Sequence, residues 1–493
     1  MNIKIYEYTE VKRLSYLDYE VVIGLEVHSE LKTKTKIFCN CTTEFGGEPN
    51  THCCPICTGM PGTLPVLNEK VVEYAIKAGL ATNCSINKFS KQDRKNYFYP
   101  DLPKAYQVSQ YDLPLCYEGE VEIEVNDAAK KIRINRIHIE EDAGKLIHES
   151  GEGSIVDYNR CGVPLIEIVT EPDFSSSDDV RVFLEKLRTI LLYVDVSDCK
   201  MNEGSFRCDV NLSVRKKGDK ELGTRTEMKN MNSINFAVKA IEYEAKRQIK
   251  VIEDGGNVIQ ETRRWDESRG ITVSMRSKEE AHDYRYFPEP DLMPIITSQE
   301  KIDEIEKSIP ELPDSREKRY VEEYKITKYD ARLIVAYKNM ADFYEEAANE
   351  SKNCKAVANW IITEIYGRLN EEEKEQAKIP FKPDILTELV NIIEDGTISN
   401  SIGKKVFVDC WESGKRPIEI VQEKGLKQIS DNSQLEELVK EVIDNNEKAV
   451  NDFINGREAA IGALVGQMMK ATKGKANPKM VNELLRKTIN ELK

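Results

Sequence analysis

No stretch of this sequence approaches the roughly 18 consecutive apolar residues that a membrane-spanning helix requires. Its opening, MNIKIYEYTEVKRLSYLDYE, is polar and mixed, without the layout of a secretory signal, so the expected location is the cytoplasm. An excess of positive charge is also missing. The 71 Lys and Arg residues face 86 Asp and Glu, giving a net charge of −15. That balance excludes a wholly basic nucleic-acid coat protein and confines any nucleic-acid contact to a local patch. The common nucleotide and hydrolase signatures are absent: no GxxxxGK[ST] loop, no GxGxxG after a strand, no GxSxG elbow and no Ser–Lys–Ser amidase pattern. ATP, if used, is therefore held outside the common nucleotide folds, and ammonia, if needed, must be released from an amide on another chain. Internal repeats and low-complexity tracts are lacking too.

With 493 residues, the chain has room for roughly three domains. Up to about residue 295 it alternates strand-like runs with turns. Period-two patterning marks Glu20–His28, Val121–Val125, Ile132–Glu140, Pro164–Thr170, Cys208–Arg215 and Gly223–Lys229. The clearest is Cys208–Arg215, with Asp209, Asn211, Ser213 and Arg215 on one face and Val210, Leu212 and Val214 on the other. Two helical stretches interrupt the strands, one near Asp178–Tyr193 and one running to about Ile252, ended by Asp254-Gly255-Gly256. The expected fold class is α+β on antiparallel strands. After Pro294 strand signals fade, and Ile309–Asp314 and Ile379–Pro383 read as junctions between helical units. Ser433-Gln434-Leu435-Glu436 resembles a capping box ahead of an apolar helix face at Leu438, Val439, Val442 and Ile443. From Asn451 onward, eight cations meet four carboxylates, a local balance of +4. That tail suits either a solvated lysine-rich helix pair or an RNA contact.

Three features carry chemistry. The segment Lys88–Tyr111 interleaves Lys88, Lys91, Arg94, Lys95 and Lys104 with Phe89, Tyr97, Phe98, Tyr99, Tyr106 and Tyr111. Cations neutralise phosphates and aromatic faces stack on bases, so this mixture fits a nucleotide or an RNA end; a tyrosine-rich loop packed on a sheet is the plainer alternative. The second feature is acidic. In Val21–His28, Glu26 and His28 share one strand face with Gly24. The strand ending Glu140-Glu141-Asp142 packs three acids together, and Glu167 stands inside the apolar strand Pro164–Thr170. Acids so placed need a cation. If a sheet gathers Glu26, His28, Glu141 and Glu167, the site suits Mg²⁺ or Mn²⁺, the usual companions of phosphoryl transfer. The third is Cys39-Asn40-Cys41 with Cys54-Pro55-Ile56-Cys57, two tight thiolate pairs spaced for a structural zinc knuckle. The chain has 12 cysteines in all, and the other eight read as reduced, mostly buried apolar residues.

The motifs IGLEVHSELKTKTKIFC, PGTLPVLN, DRKNYFYPDLPKAYQVSQYDLPL, RIHIEEDAGK, PLIEIVTEPD, EGSFRCDVNLSVR, ETRRWDES and DYRYFPEPDL resemble the B subunits of bacterial aspartyl/glutamyl-tRNA(Asn/Gln) amidotransferases. The likeness continues through EDGTISNSIGKKVF, ISDNSQLEELV and VGQMMKATKGKANPKMVNELL, leaving only the first ~18 residues outside it as an extension. It implies a cradle-like catalytic domain over 19–297, a helical domain over 298–408 and an all-α tail over 409–493 that grips tRNA. It implies a ligase in a heterotrimer, with an amidase subunit releasing ammonia from glutamine and a small third subunit. ATP and Mg²⁺ would serve to phosphorylate the side-chain carboxylate of Asp-tRNA(Asn) or Glu-tRNA(Gln), and channelled ammonia would displace the phosphate. On these residues, the resemblance implies Mg²⁺ ligation by Glu26, His28, Glu141 and Glu167, with Glu140 as the alternative to Glu141 because the two stand on opposite strand faces, with Glu141 and Glu167 catalytic and Glu141 also guarding the ammonia outlet. Arg94, Lys95, Asn96, Tyr97, Arg160, Arg207, Lys229 and Arg285 are candidates for ATP or the tRNA end, and Lys470, Lys473, Lys475 and Lys479 for tRNA contacts in the tail. Zinc at Cys39, Cys41, Cys54 and Cys57 supports architecture, since some family members lack all four cysteines.

Two other readings use the same residues. A zinc-bearing RNA-binding scaffold would bind tRNA without making ADP. A free-standing Mg²⁺-dependent hydrolase would work without partner chains.

Overall fold

A computed structural model describes residues 18–147, 153–277, 284–427, 432–472, 476 and 478–491, with backbone alone at 276–277, 432–434 and 478–479. The chain divides into two compact units, Met1–Leu312 and Pro313–Lys493. Of the expected N-terminal extension over residues 1–18, residues 1–17 lie outside the described residues.

The first unit is built on a nine-stranded sheet. Its spatial order is Ile271–Ser277, Glu261–Asp266, Thr226–Met231, Phe206–Lys216, Tyr19–Glu30, Pro164–Thr170, Ala128–Glu141, Cys116–Val125 and Ser85–Ile86. Thr226–Met231 and Glu261–Asp266 run parallel; the other neighbours are antiparallel. All six strands marked by alternation are present, the last shifted to Thr226–Met231 from the expected Gly223–Lys229, as is the antiparallel α+β class. The alternation works as expected: Ile23, Leu25 and Val27 of the central strand are buried, while Glu26 and His28 on the reverse face are half-buried.

Helices cover the apolar face. Ser177–Tyr193 starts where the Ser176 side chain accepts from the Asp179 N–H, and it buries Val180, Phe183, Leu184, Leu187 and Leu191. Ile234–Glu253 is capped in the same way by Ser233 and ends at Asp254, before Gly255 at φ +79°. Two further helices, Glu69–Ala81 and Gln299–Lys307, join the unit; Glu69–Ala81 packs against the Cys116–Val125 and Ala128–Glu141 strands. Apolar residues of sheet and helices form one continuous core. On the sheet's other face stands a three-stranded sheet of Phe287–Pro288, Asp93–Asn96 and Tyr106–Ser109, so the basic–aromatic segment stands beside the polar side of the large sheet.

From Pro313 on, the described residues are helical, in two apolar clusters spanning Tyr320–Val421 and Leu435–Ile489. Pro313 and Pro383 each open a helix, as the junction motifs foretold. The helix Asn432–Asp444 buries Val439, Val442 and Ile443 as expected, while the capping-box side chains of Ser433 and Gln434 lie outside the described residues. No helix among the described residues is long and apolar enough to cross a membrane.

Candidate active site

Six adjacent strands, from Glu261–Asp266 to Ala128–Glu141, turn polar side chains toward one cavity of about 550 Å³. Register, more than proximity in sequence, assembles its floor. Arg207, His28, Glu167 and His138 stand directly opposite one another across four strands, forming a transverse row. His28 Nε2 lies 3.6 Å from Glu167 Oε2, and His138 Nε2 lies 3.3 Å from the same oxygen. His138 Nε2 is also 3.4 Å from Glu140 Oε2. Beside this row, Glu26, Asp209 and Glu227 form a second group, with Asn211 donating to Glu26 at 3.0 Å.

Electrostatics follow from this packing. Burial alone would raise the Glu167 carboxyl, but His138 and His28 hold it well below the usual carboxylate range. Burial opposes charge on both imidazoles, yet Glu167 leaves each of them raised. Glu140 is likewise lowered against burial, by Lys95 and His138. Glu26, by contrast, is raised by burial and then by Glu167.

The three consecutive acids find separate cations. Glu140 accepts from Gln107 at 2.5 Å and Ser109 at 2.7 Å, with Lys95 Nζ at 3.9 Å. Glu141 points to the opposite face of its strand, where Lys104 Nζ lies 2.5 Å away and the Val108 N–H donates at 2.8 Å. Asp142 returns to the cavity side, 2.8 Å from Arg207 and 3.5 Å from Arg160. Burial works against its charge, and the two guanidiniums hold it at about 2.

This placement divides the expected ligand set between two groups. His28 and Glu167 are brought together, but with Glu140, their ligand atoms all within 4.8 Å. Glu141 is turned away from them because successive side chains on a strand face opposite sides. Glu26 belongs to the neighbouring group with Asp209 and Glu227, also within 4.8 Å. The donors are carboxylates and imidazole without sulfur, a set that fits Mg²⁺ or Mn²⁺.

Of the eight candidates for ATP or the tRNA end, Lys95, Tyr97, Arg207 and Lys229 line the cavity. Lys229 Nζ reaches Asp209 at 2.5 Å and Glu227 at 3.0 Å. Arg94 instead forks onto buried Glu289, at 2.7 and 2.8 Å, under the Tyr106 ring. Asn96 donates to the Arg285 carbonyl at 2.8 Å, fastening one wall segment to the other. Arg160 donates to the Ala143 and Gly144 carbonyls at 3.0 and 2.9 Å and so braces the turn after Asp142. Sequence reading missed His138, Asp209, Glu227, Tyr284 and Tyr286 as lining residues and left Glu140 as the alternative to Glu141. The phase of Lys229 pointed to Glu227, whereas Asp209 reads from sequence only as part of a polar face.

On the far side of Glu141 lies a smaller chamber of about 130 Å³, lined by Lys104, Glu141, Tyr106, Lys36, Cys39 and Cys57 among others. Cys39 and Cys57 form a group with Cys41 and Cys54, all four sulfurs within 4.8 Å of one another. Cys54 and Cys57 sulfurs are 4.0 Å apart, close to the ~3.8 Å expected across a tetrahedral zinc with Zn–S near 2.3 Å. Such a cluster can hold a structural metal such as zinc. Cys53 turns away to the Asn50 carbonyl, and Cys54 is the member of the four-cysteine group. None of the 12 cysteines is in a disulfide, and six of the other eight are buried.

In the second unit, Lys470 is exposed near the end of the helix Ala460–Ala471. Lys473, Lys475 and the Lys479 side chain lie outside the described residues.

Comparison with known proteins agrees with this architecture. Residues 21–303 match the family model described as the GatB/GatE catalytic domain, and residues 342–489 match the GatB domain. Over 480 residues the chain is 63% identical to the B subunit of the aspartyl/glutamyl-tRNA(Asn/Gln) amidotransferase of Caldicellulosiruptor saccharolyticus, covering 97% of this chain and 100% of that protein. The protein of the same description from Carboxydothermus hydrogenoformans is 58% identical over 96% of this chain and all of its own length. That from Clostridium tetani is 55% identical over 97% of this chain and its full length. With both domain matches and full-length relatives of this identity, the chain belongs to the GatB family of tRNA-dependent amidotransferase subunits.

Proposed function

We propose that this chain is the ATP-using subunit of a glutamine-dependent tRNA amidotransferase, a carbon–nitrogen ligase that converts Asp-tRNA(Asn) or Glu-tRNA(Gln) to the amide. The observation that carries the proposal is the row His28–Glu167–His138 with Glu140, facing a cavity whose rim holds Lys95, Arg207 and Lys229.

The chemistry joins two anions, and the residues present answer that difficulty. A side-chain carboxylate oxygen of the aminoacyl group attacks the γ-phosphorus of ATP, and the bond to the leaving ADP oxygen breaks. Ammonia then attacks the acyl carbon, phosphate departs with the bonding pair, and a proton is shed. Lys95, Arg207 and Lys229 hold phosphate oxygens in this reading, each kept in place by a carboxylate partner. His28, Glu140 and Glu167, with Glu26 beside them, would hold Mg²⁺, which when bound screens the converging negative charges. Tyr97, Tyr111, Tyr284 and Tyr286, which line the cavity, keep water from the acyl phosphate in this reading.

Ammonia reaches the cavity from a separate amidase chain, with a small third chain completing the heterotrimer, because this chain has no amidase signature of its own. The Lys104–Glu141 pair in the smaller chamber guards that entry. We assign tRNA gripping to the helical tail from residue 409 on, with Lys470, Lys473, Lys475 and Lys479 as contacts, and zinc to the four-cysteine knuckle. The reaction belongs to the cytoplasm, where charged tRNA is made.

The test is transamidation by the reconstituted complex with ammonium supplied directly. Glu167→Ala and Glu26→Ala should abolish ATP-dependent product, and normal turnover by either would refute the site.

A further inference from the structure

Four tyrosines line one wall of the active-site cavity, and they come from two segments far apart in sequence: Tyr97 and Tyr111 from one, Tyr284 and Tyr286 from the other. Tyr111 and Tyr286 are stacked, centroids 4.4 Å apart and planes within 8° of parallel. Tyr284 meets Tyr97 edge-on at 5.7 Å and Tyr286 edge-on at 6.0 Å. Backbone pairing fixes the arrangement, since Phe287 pairs with Arg94 and the Asn96 N–H donates to the Tyr284 carbonyl at 2.9 Å.

Ordinary core packing does not account for this wall. None of the four rings belongs to the apolar core of its unit, and Tyr111 is 60% exposed despite its stacked partner. Rings held parallel at an open cavity are pre-ordered for a flat π-system, which stacks at little further entropic cost. Charge is arranged to match. Lys95 Nζ lies 5.2 Å from the Tyr284 ring centre and 3.9 Å from Glu140, so the wall meets the acidic floor at a cation. A molecule with a flat base at one end and phosphate at the other has both ends provided for.

We infer that the Tyr97–Tyr111–Tyr284–Tyr286 wall is the seat of a purine base whose phosphate end turns toward Lys95. This rests on the proposed function, which supplies two sources of such a base: the adenine of ATP and the terminal adenosine of the tRNA. Both present the same π-face and differ in what is attached.

The test uses the complete reconstituted complex with ammonium, ATP and mischarged tRNA, comparing Tyr111→Leu and Tyr286→Leu with the corresponding phenylalanine variants. Loss of one stacked base should raise a KM by about tenfold in the leucine variants, while phenylalanine stays near wild type. A rise confined to the KM for ATP assigns the wall to its adenine. A rise confined to the KM for tRNA, absent when the tRNA lacks its terminal adenosine, assigns it to the acceptor end. Leucine and phenylalanine behaving alike, or neither KM moving, overturns the inference. If the wild-type complex forms no ADP at all, the functional reading fails instead. Calorimetric titration of the full chain with ADP, and with tRNA bearing or lacking its terminal adenosine, then decides the wall on its own. Tighter binding to wild type than to the leucine variants sustains the inference, and equal binding ends it.

Discussion

Two buried carboxylate centres belong to the same sheet-based unit and have opposite characters. Glu244, on the helix Ile234–Glu253, is 0% exposed and saturated with donors. Arg247 binds it at 2.9 and 2.6 Å, Thr226 and Gln248 at 3.0 Å each, and Thr272 at 2.8 Å. It lines neither the large cavity nor the smaller chamber. Glu167 is also buried, but its neighbours are two imidazoles and a second carboxylate, and it faces a cavity of about 550 Å³. Burial and a lowered pKa are common to both. What separates a functional centre from a structural one is unfinished coordination beside open volume.

Substitution should pull the two centres apart. Glu167→Ala is expected to lower ATP-dependent amidation by at least about 10³-fold, assayed with free ammonium. Its urea-unfolding free energy should fall less than that of Glu244→Ala, because His28 and His138 can shed their protons once Glu167 is gone and Glu140 loses a like-charged neighbour. Glu244→Ala should do the reverse. It takes the carboxylate away from Arg247, from the half-buried Arg263 at 3.3 Å and from the buried Thr226, Gln248 and Thr272, and should cost about 3–5 kcal/mol of stability. Turnover per folded molecule should survive. If Glu244→Ala abolished turnover in folded protein, or Glu167→Ala simply unfolded the chain, the distinction would collapse.

The adjacent acids Glu140 and Glu141 repeat the contrast at the smallest separation possible. Glu140→Gln should lower amidation about 10²-fold or more even with ammonium supplied, since it removes a charge from the floor of the site. Glu141→Gln should leave that assay nearly intact and chiefly reduce amide formed per glutamine hydrolysed. Comparing the glutamine-driven and ammonium-driven rates of the two variants checks this directly. Equal loss in both assays for both variants would erase the assignment of two faces.

Much of this was legible in sequence. Period two placed Glu26 and His28 on the polar face, and the apolar run around Glu167 announced a carboxylate in need of a partner. The choice between Glu140 and Glu141 was not legible. Ile137 through Glu141 are all buried, so alternation vanishes where it would have decided the phase. Strand pairing decides it instead, by setting Leu165 opposite Glu140 and Glu167 opposite His138. Tyr284 and Tyr286 were hidden for the same reason, since only pairing across about 190 residues brings them beside Tyr97. The helix Glu69–Ala81 escaped because much of its buried stripe is made of small residues, Ala75, Ala78, Gly79 and Ala81.

The knuckle offers an intermediate case, in which a metal would complete the coordination. Lys36 is 0% exposed, and its ammonium lies 3.8 Å from the Cys57 sulfur. A zinc bound by four thiolates carries net negative charge, so this buried cation should stabilise the loaded site. Lys36→Met is expected to weaken zinc retention by about 10–100-fold in competition with a chromogenic chelator, and Lys36→Arg should recover part of it. Unchanged retention in Lys36→Met would make the lysine a packing residue only.

The finest discrimination comes from pH. Burial raises the Glu244 carboxyl, but Arg247 and its other donors leave it below the ordinary value of 4.5. A group whose folded pKa is depressed binds its proton more readily in the unfolded chain. Its contribution to stability is therefore complete above pH 4.5 and declines as pH falls from there through the lower folded value. The stability gap between wild type and Glu244→Gln should accordingly be constant from neutral pH down to about 5 and shrink below it, by up to about 1.4 kcal/mol per unit of depression. Urea unfolding at closely spaced pH values measures that gap. A gap that stayed flat through pH 3 would mean that the five donors act by packing, and that Glu244 is not a saturated charge standing in contrast to the open site at Glu167.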